Sequence, residues 1–508
     1  MTTTLKFLSA VTFLLLWWLA RRVWQRKQFQ GLPRIGIDPG LLGLRTRAAK
    51  DEFFFHGQQL LEKGYEKYKN TPYVVHTCDN ERLIVPDVFV EELKNLPDTQ
   101  LSFKEELLDR FMGKYTKLDA VRGTNIHRDI VRFQLTKNLD TSLLPQMVEE
   151  ATLALNNALD HDGSKEYHAV KASSVMFSAI GQITSRRVID DPSISRDPVW
   201  LKTIIGFTAS VAVFCITMRN ISPTLRPIAR YTLSCDRKLR SDIAQVTRLL
   251  ASVIQTRQQE RKDHKASEET HLDFVQWLSE SATGKDAEPE AIVMKILFLI
   301  IAAMHSSAVT AMHALYDLCA HPDVIEELRE EVIRETSAHG WTHAALLRMS
   351  KMESFLKESG RTNSAGIVSF QRLVLSPIVL SNGFTIPAGT HISAASDARS
   401  RDPKLYDSPL EFRSKRFLSA PNTGAAEVDA SNLFSSVTAG DSWFGKGQQA
   451  CPGRWYASAQ IKLVLCLLLT RYDFRFPDGQ TERPKNWVKD EKTGPDMEQV
   501  ILIRRRRN

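Results

Sequence analysis

A cysteine near the C-terminus lies in a loop whose composition is typical of a metal-binding site. The stretch FGKGQQACPGR places Cys451 after Phe444 and two glycines, and directly before a proline. Glycine permits positive φ and a close approach of the chain to a flat ligand, whereas proline fixes the chain after the cysteine. A helix is predicted at residues 454–469, and the free N–H groups at its start would stabilise a thiolate. The loop therefore predicts a metal-ligating cysteine whose sulfur Phe444 shields from water.

Three kinds of site remain once zinc is excluded. Zinc needs four protein ligands, or three and a water, and Cys451 has no second ligand beside it in sequence. A nucleophilic cysteine requires a histidine partner, which the sequence order neither supplies nor excludes. A buried structural thiol would leave the surrounding glycines without a role. A single thiolate on a flat cofactor is typical of haem iron, where the thiolate favours cleavage of the O–O bond.

A long apolar segment carries the other candidate groups. Residues 291–320 contain no helix breaker, so they predict a helix of about 45 Å at 1.5 Å per residue. Its first half is apolar nearly all round and is predicted to be buried. The sequence His305-Ser306-Ser307 at its middle is costly to bury, so these groups either bond back to helix carbonyls or border a cavity. The same polar residues argue against a membrane span.

The composition indicates a large globular domain that positions these groups. The chain has 508 residues, 43% of them hydrophobic and 25% charged, and no linker or repeat divides it. The net charge of +8 is dispersed, so no nucleic-acid partner is predicted, whereas a membrane surface or an acidic protein is compatible. The six cysteines form no CxxC pair, which favours reduced thiols facing the cytosol.

The N-terminus predicts a membrane anchor. The apolar run at residues 7–20 is short for a span of about 20 residues, but the wider segment from Leu5 suffices if the flanking arginines reach the interface. No small-x-small site follows the run, as a cleaved signal peptide would require. The Arg and Lys residues after it keep the body cytosolic. We predict a signal anchor at 1–25, a basic Pro/Gly hinge at 26–40 and one domain at 41–508.

The body is predicted to be mainly α with a small β region. Apolar residues recur with helical spacing in residues 201–218 and 243–256, and a short helix begins at Phe274. The polar stretch RQQERKDHKASEE after the second segment predicts an exposed loop. Residues 373–392 combine β-branched residues with Asn-Gly and Pro-Ala-Gly turns, which is typical of short strands.

The cysteine loop resembles the haem-binding signature of the cytochrome P450 monooxygenases. The match is Phe444-x-x-Gly447-x-x-x-Cys451-x-Gly453, and its extended form is similar to fungal members. The resemblance implies the cytochrome P450 fold behind one N-terminal transmembrane helix. It also implies heme b with its iron bound by Cys451, and cofactor contacts by Phe444, Gly447 and Gly453.

Two further motifs follow the family's order. Glu358-x-x-Arg361 resembles the family's Glu-x-x-Arg pair, and Arg416 matches the arginine that completes its salt-bridge network. Glu-x-x-Arg pairs at 326–329 and 331–334 fit the spacing too, and such pairs are usually solvated helix faces. Only Glu358 lies just before the β region, so the resemblance assigns the structural network to Glu358, Arg361 and Arg416.

The resemblance assigns oxygen activation to the middle of the long helix. In the family an acid and a threonine relay protons there, and the matching positions here are His305 and Ser306. Histidine can relay protons because its ordinary pKa is about 6.5. Serine keeps the hydroxyl but loses the methyl group that restricts the threonine rotamer. We expect His305 and Ser306 to be the catalytic pair, with delivery through water or a reaction other than hydroxylation as alternatives.

The expected contacts to the haem propionates are altered as well. Gln449 stands where the family usually has Arg or His, and an amide donates a hydrogen bond without a charge. Arg372 after the Glu358 helix, or Arg132 in HRDIVRFQLTKNL, is expected to supply the charge. For Arg132 a surface position is an equally good interpretation.

The implied reaction is an NADPH- and O2-dependent monooxygenation. One oxygen atom enters a C–H bond of an apolar small molecule, and NADPH-cytochrome P450 reductase supplies two electrons. A face around Lys446 and Arg454 is expected to dock this acidic partner. The expected location is the endoplasmic reticulum membrane, with a single span and a cytosolic catalytic domain.

The substrate pocket is expected to be apolar. We place Ile301 and Ala302 of the long helix in it, together with Ile367 and Val368 after the Glu358 helix. The Ala-Ala-x-His-Ser-Ser sequence resembles fungal enzymes that tailor terpenoids, indole diterpenes and meroterpenoids, which are secondary metabolites. The alternatives are a haem-thiolate isomerase or dehydratase that needs no O2, and a non-catalytic haem-binding membrane protein.

Overall fold

The chain is mainly helical with a small β region, as the sequence predicts. The computed structural model describes residues 12, 23, 29–40, 42–159, 166–262, 271–418, 430–438, 440 and 443–506. The α-helices of these residues are α1 (Thr46–Lys67), α2 (Asp87–Leu93), α3 (Phe103–Arg110), α4 (Gly113–Thr116), α5 (Ile126–Asp129), α6 (Thr136–Asn138), α7 (Leu144–Leu159), α8 (Ala172–Val188), α9 (Pro192–Ser195), α10 (Pro198–Arg219), α11 (Arg226–Ala229), α12 (Ser234–Lys262), α13 (Phe274–Ser281), α14 (Pro289–Ala320), α15 (Pro322–His339), α16 (His343–Arg348), α17 (Ser350–Thr362), α18 (Ser396–Ser400) and α19 (Arg454–Arg471).

The strands form one larger sheet and three smaller groups. They are β1 (Arg34–Ile35), β2 (Tyr73–His76), β3 (Glu81–Ile84), β4 (Leu101–Ser102), β5 (His168–Lys171), β6 (Ser369–Val374), β7 (Ile378–Val379), β8 (Thr385–Ile386), β9 (His391–Ala394), β10 (Tyr472–Arg475), β11 (Trp487–Lys489), β12 (Lys492–Gly494) and β13 (Val500–Arg505). The six-stranded sheet has the order β1-β2-β3-β9-β6-β4, and β10-β13-β5 form a second sheet. The pairs β7-β8 and β11-β12 are hairpins. The predicted strands within residues 373–392 are thus confirmed.

Helix α14 is the long helix predicted at residues 291–320, and it runs through the helical core. Proline occupies its first turn, where its missing N–H costs nothing, and the next proline, Pro322, follows its end. Most of its side chains are buried, and it packs against α8, α12 and α19. The hydrophobic cluster around α14 is the largest of the described residues and is built mainly from helices.

Two helices extend beyond their predicted ends. Helix α12 continues to Lys262, so the first six residues of the stretch predicted as a loop are helical. Arg257 explains the extension, because its buried guanidinium lies 2.7 Å from Asp273, the N-cap of α13. Helix α10 begins at Pro198, before the apolar run, because Asp197 accepts a hydrogen bond from the backbone N–H of Trp200.

The predicted membrane anchor lies outside the described residues, apart from residues 12 and 23. Among the described helices, α10 and α14 are long and apolar enough to cross a membrane by length and composition alone. Helix α14 packs inside the core, which agrees with the prediction that it is not a second span. All six cysteines are free thiols.

Candidate active site

The cysteine loop is closed by its own backbone and by a close contact with a distant segment. The N–H of Cys451 donates to the carbonyl oxygen of Phe444 at 2.8 Å. Gly447 has a φ of +67°, and a Cβ there would lie 2.0 Å from the carbonyl oxygen of Lys94. This glycine is therefore required for packing of the loop on the chain after α2, a different close approach from the one expected. Helix α19 begins at Arg454 directly after the loop, as predicted.

The thiol of Cys451 is only partly stabilised as a thiolate by the surrounding protein. Burial raises its pKa, whereas the N–H of Gly453 bonded to the sulfur and the charge of Arg454 lower it, and burial dominates. No cluster of three or more His, Cys, Asp or Glu side chains suited to a metal occurs among the described residues. A single cysteine that stays protonated until a metal ion binds is suited to a metal whose other ligands come mainly from the macrocycle of a cofactor.

The middle of α14 presents an open face within an otherwise buried helix. Ala302, His305 and Ser306 are exposed, whereas Met304 and Ser307 between and beside them are buried. Burial nevertheless lowers the pKa of His305, and the positive charge of Lys492 lowers it further. A side chain that is accessible to solvent but surrounded by protein atoms is expected where it borders an internal cavity. The sequence-based alternative of a cavity at this position is therefore supported by the structure.

On this face, the hydroxyl group of Ser306 and the imidazole of His305 have different partners. Ser306 Oγ donates to the carbonyl oxygen of Ala302 at 3.0 Å, as the alternative of bonding back to the helix predicts. The His305 ring lies 5.7 Å from the ring of Phe177 on α8. Since its lowered pKa keeps the imidazole neutral at neutral pH, His305 can both accept and donate a proton there.

Glu358, Arg361 and Arg416 meet in a buried network, as the resemblance implies. Both oxygens of Glu358 are 2.8 Å from nitrogens of Arg361, and Arg416 Nε lies 2.9 Å from Glu358 Oε2. The backbone N–H of Arg413 also donates to Glu358 at 2.9 Å. Arg361 then donates to the carbonyl oxygen of Pro409, in the segment around Arg416, at 2.7 Å. The network thus joins α17 to the chain that leads to the cysteine loop.

The two other Glu-x-x-Arg pairs lie elsewhere. Glu326 is exposed and contacts Arg329, whose guanidinium also donates to the carbonyl oxygen of Leu469 at 2.7 Å. Glu331 is 4.0 Å from Arg334 and instead accepts hydrogen bonds from backbone N–H groups at the start of α17. Neither pair reaches the segment around Arg416, so position in the fold separates them from Glu358.

Arg372 is a buried cation with an unused donor. It is 3% exposed, and its Nη2 has no hydrogen-bond partner among the described residues. Its guanidinium lies 5.1 Å and 4.7 Å from the rings of Phe103 and Phe370, and burial lowers its pKa to about 10. Leaving such a donor unpaired is costly, so an anionic group of a bound molecule is the partner that fits. Arg132, by contrast, is exposed over the ring of Phe133, as the surface interpretation predicts.

Gln449 is used by the fold. Its Oε1 accepts from the N–H of Phe103 at 2.6 Å, and its Nε2 donates to the carbonyl oxygen of Leu101 at 2.6 Å. Both amide groups thus hold the cysteine loop against β4 and the start of α3. The hydrogen bond to a propionate that the sequence allowed is not available from this side chain.

Neither Arg128, which contacts the cysteine loop, nor His127, which lies against α14, is identified from the sequence. Arg128 donates from Nη2 to the carbonyl oxygen of Gln448 at 2.7 Å. The neighbouring His127 is buried, its Nδ1 has no partner among the described residues, and burial lowers its pKa to about 4. Its ring lies 5.1 Å from Phe298 of α14. The only available signal was their place in the same HRDIVRFQL stretch as Arg132.

The expected pocket residues separate into two groups. Ile301 is half-buried and Ala302 exposed on the open face of α14. Ile367 is fully buried and Val368 is 8% exposed, and both pack in a hydrophobic cluster with Phe53 of α1. This cluster also contains Val75 and Ile84 of the six-stranded sheet, so the two residues lie beside that sheet. Lys446, expected on an exposed docking face, is 8% exposed and lies 3.9 Å from Glu91, which corrects that expectation.

Comparisons with known proteins agree with this geometry. The family model described as Cytochrome P450 matches residues 98–493. The chain is 31% identical over 457 residues to ent-kaurene oxidase P450-4 of Gibberella fujikuroi, covering 89% of each chain. It is 30% identical to cytochrome P450 monooxygenase olcJ of Penicillium canescens, covering 92% of this chain and 86% of that protein. The solved structure of the cytochrome P450DA heme domain superposes with a TM-score of 0.66 at 18% identity, over 94% of this chain and 98% of that one.

Proposed function

The chain belongs to the cytochrome P450 family and is a haem-thiolate monooxygenase, and on this premise we propose that it oxidises a terpenoid-derived apolar molecule at the face formed by His305. The single observation that carries the proposal is the open, polar middle of α14 within a helical core. A haem P450 needs such a face for oxygen activation and for substrate. The Glu-x-x-Arg network and the cysteine loop supply the structural frame.

The described residues fit a haem. Cys451 supplies the thiolate ligand, and its raised pKa means that deprotonation is coupled to binding of the metal. Arg372 has the unpaired buried donor that a propionate would satisfy, whereas the exposed Arg132 is assigned to the surface. When bound, haem supplies the activation of O2 that the side chains of the chain cannot. Phe444, Gly447 and Gly453 are proposed to shape the loop around it.

We assign proton delivery to His305 and orientation of hydrogen bonds to Ser306. His305 is neutral at neutral pH, so its imidazole can take a proton from water on one nitrogen and give one up from the other. Ser306 spends its hydroxyl hydrogen on the carbonyl oxygen of Ala302 and keeps its oxygen lone pairs free to accept. His305 is therefore the stronger proton donor of the pair.

The substrate class rests on the relatives. The name of one relative, ent-kaurene oxidase, states a diterpene hydrocarbon as its substrate. An apolar polycyclic molecule suits the apolar side chains of α14 at Ile301 and Ala302. We extend the class, not the individual compound, to this chain.

The redox partner and the membrane location are also proposed. Electrons come from NADPH through NADPH-cytochrome P450 reductase, a flavoprotein. With Lys446 buried, we propose Arg454 and the exposed Arg132 as docking cations, together with Arg128, which donates to the loop carbonyl of Gln448. The segment 1–25 is proposed as a single-pass anchor in the endoplasmic reticulum membrane, with the domain in the cytosol.

The test is an isotope experiment on the full-length protein in yeast microsomes with its reductase. Ent-kaurene is the probe, NADPH the reductant and ¹⁸O₂ the gas, and products are analysed by mass spectrometry. We expect NADPH-dependent products that contain one ¹⁸O atom per oxidation. Conversion without NADPH and without ¹⁸O would instead identify an isomerase or dehydratase. No conversion of ent-kaurene or of a panel of other terpenes would overturn the proposed substrate class.

A further inference from the structure

Strand β6 is irregular directly before Arg372. From Ser369 to Arg372 the strand advances three residues where its partner β9 advances two, so it contains a β-bulge. Phe370 lies in this bulge with a φ of +51°. Glycine ordinarily supplies such a left-handed conformation, which is strained for a bulky aromatic residue. A strained residue persists where the surrounding structure compensates the strain, so the contacts of the Phe370 ring need an explanation.

The bulge brings the ring of Phe370 against a buried cation. In a regular strand, residues two apart lie about 6.6 Å from each other at 3.3 Å per residue. The ring centroid of Phe370 is only 4.7 Å from the guanidinium carbon of Arg372, and the ring centroid of Phe103 is 5.1 Å from it. Both distances fall within the range of about 6 Å for a cation–π contact. We call these two rings the aromatic clamp.

The hydrogen bonds of Arg372 leave one end of the clamped guanidinium without a partner. Its Nη1 donates to the carbonyl oxygen of Gln371 at 2.8 Å, whereas its buried Nη2 has no partner among the described residues. Burial lowers the pKa of Arg372 to about 10, so the guanidinium is still charged at neutral pH. The aromatic clamp therefore replaces water around a charged group whose Nη2 is left for a ligand.

The aromatic clamp is tied to the cysteine loop. The N–H of Phe103 donates to Gln449 Oε1 at 2.6 Å, and Gln449 Nε2 donates to the carbonyl oxygen of Leu101 at 2.6 Å. Leu101 pairs with Val374 at the other end of β6. Strands β4 and β6 and the loop that carries Cys451 are thus joined by hydrogen bonds, so the clamped guanidinium has a fixed place relative to that loop.

We propose that Phe370 and Phe103 are positioning residues for the cofactor, because they hold the Arg372 guanidinium so that its Nη2 donates to a carboxylate of the bound haem. The inference rests on the proposed function, since it requires a haem beside Cys451. Arginine loses much rotamer freedom when it binds a ligand, and a side chain that is already held in place loses less. This advantage explains why a strained phenylalanine stands where glycine would fit.

The test measures haem transfer from the full-length holoprotein to excess apomyoglobin. Phe370→Leu and Phe103→Leu are made in the wild type and in Arg372→Met, because leucine keeps the apolar bulk but has no aromatic face. We expect each to accelerate transfer about fivefold in the wild type, since a cation–π contact is lost. In Arg372→Met, where no cation remains, each should change the rate by less than about twofold.

The matched control is Phe89→Leu, because Phe89 is 4% exposed like Phe370 and packs in the same hydrophobic cluster. It should have the same effect in both backgrounds, as loss of core packing predicts. The haem reduction potential is the second measurement. A cation near the haem stabilises its reduced form, so the potential should fall in Arg372→Met, fall less in Phe370→Leu and stay constant in Phe89→Leu.

The possible outcomes separate the aromatic clamp from the assignments on which it rests. Equal acceleration by Phe370→Leu in both backgrounds, or none in the wild type, would overturn the clamp and leave Arg372 as the haem partner. If Phe370→Leu yields no holoprotein, Phe103→Leu decides, because Phe103 is 36% exposed. Unchanged haem transfer in Arg372→Met would overturn the inference together with the role of Arg372. The proposed oxidation would still stand on the ¹⁸O experiment.

Discussion

The Glu358 network and the open face of α14 both place polar groups inside the helical core, and they differ in how those groups are paired. Both oxygens of Glu358 are occupied by arginines and by a backbone N–H. On the open face, the hydroxyl of Ser306 bonds to a carbonyl oxygen of its own helix, and elsewhere the buried Arg372 has a donor with no partner among the described residues. Buried polar groups whose hydrogen bonds and ion pairs are all made within the protein indicate a structural role. Buried polar groups that lack a partner indicate a place where a ligand can bind.

The largest expected effect on stability comes from a substitution in the Glu358 network. Glu358→Gln leaves Arg361 and Arg416 as uncompensated buried charges, so we expect a loss of about 3–5 kcal/mol of stability and little haem-containing protein. Thermal unfolding and haem content of the full-length protein measure it. Glu326→Gln is the matched control, because Glu326 has the same spacing to an arginine but is exposed, and we expect at most about 1 kcal/mol. Equal losses in the two variants would contradict the structural role of Glu358.

The next effect separates a ligand contact from a fold contact. Arg372→Met removes a buried Nη2 donor that has no partner among the described residues, along with one hydrogen bond from Nη1 to the carbonyl oxygen of Gln371, so the stability of the apoprotein should change by no more than about 1 kcal/mol. Haem transfer to apomyoglobin should become about tenfold faster, because a charged hydrogen bond to the cofactor is lost. Arg132→Met, at an exposed position, should change neither quantity by more than about twofold. If Arg132→Met changed the rate of haem transfer more than Arg372→Met did, Arg132 and not Arg372 would be the propionate partner.

Within the open face, His305 should matter more than Ser306. His305→Ala removes the proton donor and should lower the rate of product formation about a hundredfold, with NADPH still consumed. Ser306→Ala should cost less than about tenfold, because the Ser306 hydroxyl hydrogen already bonds to the carbonyl oxygen of Ala302. The ratio of product to NADPH consumed is the measurement. A larger loss at Ser306 would make the hydroxyl the principal donor.

The smallest effect is a pH dependence. Because burial and the charge of Lys492 lower the pKa of His305, its neutral form persists below the ordinary histidine pKa of about 6.5. The wild-type rate should therefore stay level as pH falls through that value, and decline only further into acid. A decline centred at the ordinary histidine pKa would show that His305 is not shielded as the structure indicates.

The features that the sequence predicts are those set by local spacing. Prolines mark both ends of α14, and the loop around Cys451 precedes a helix by its own residue order. Three Glu-x-x-Arg pairs share one spacing, so the selection of Glu358 required its position before the β region. Its network with Arg361 and Arg416 then appears in the structure at the expected place.

The features that the sequence does not predict depend on partners far along the chain. Gln449 bonds to the backbone of Leu101 and Phe103, and Gly447 lies against Lys94. Ile367 and Val368, which are expected in the pocket, pack in a hydrophobic cluster with Phe53 of α1.

The most direct test of the central claim is the carbon-monoxide difference spectrum of the reduced full-length protein, recorded beside Cys451→Ala. We propose Cys451 as the haem ligand, and no cluster of three or more His, Cys, Asp or Glu side chains occurs among the described residues. We predict a red-shifted Soret band for the wild type and its absence in the variant, with the helical content unchanged. The same band in Cys451→Ala, or no band in folded, haem-replete wild type, would contradict thiolate ligation by Cys451 and the assignments built on it.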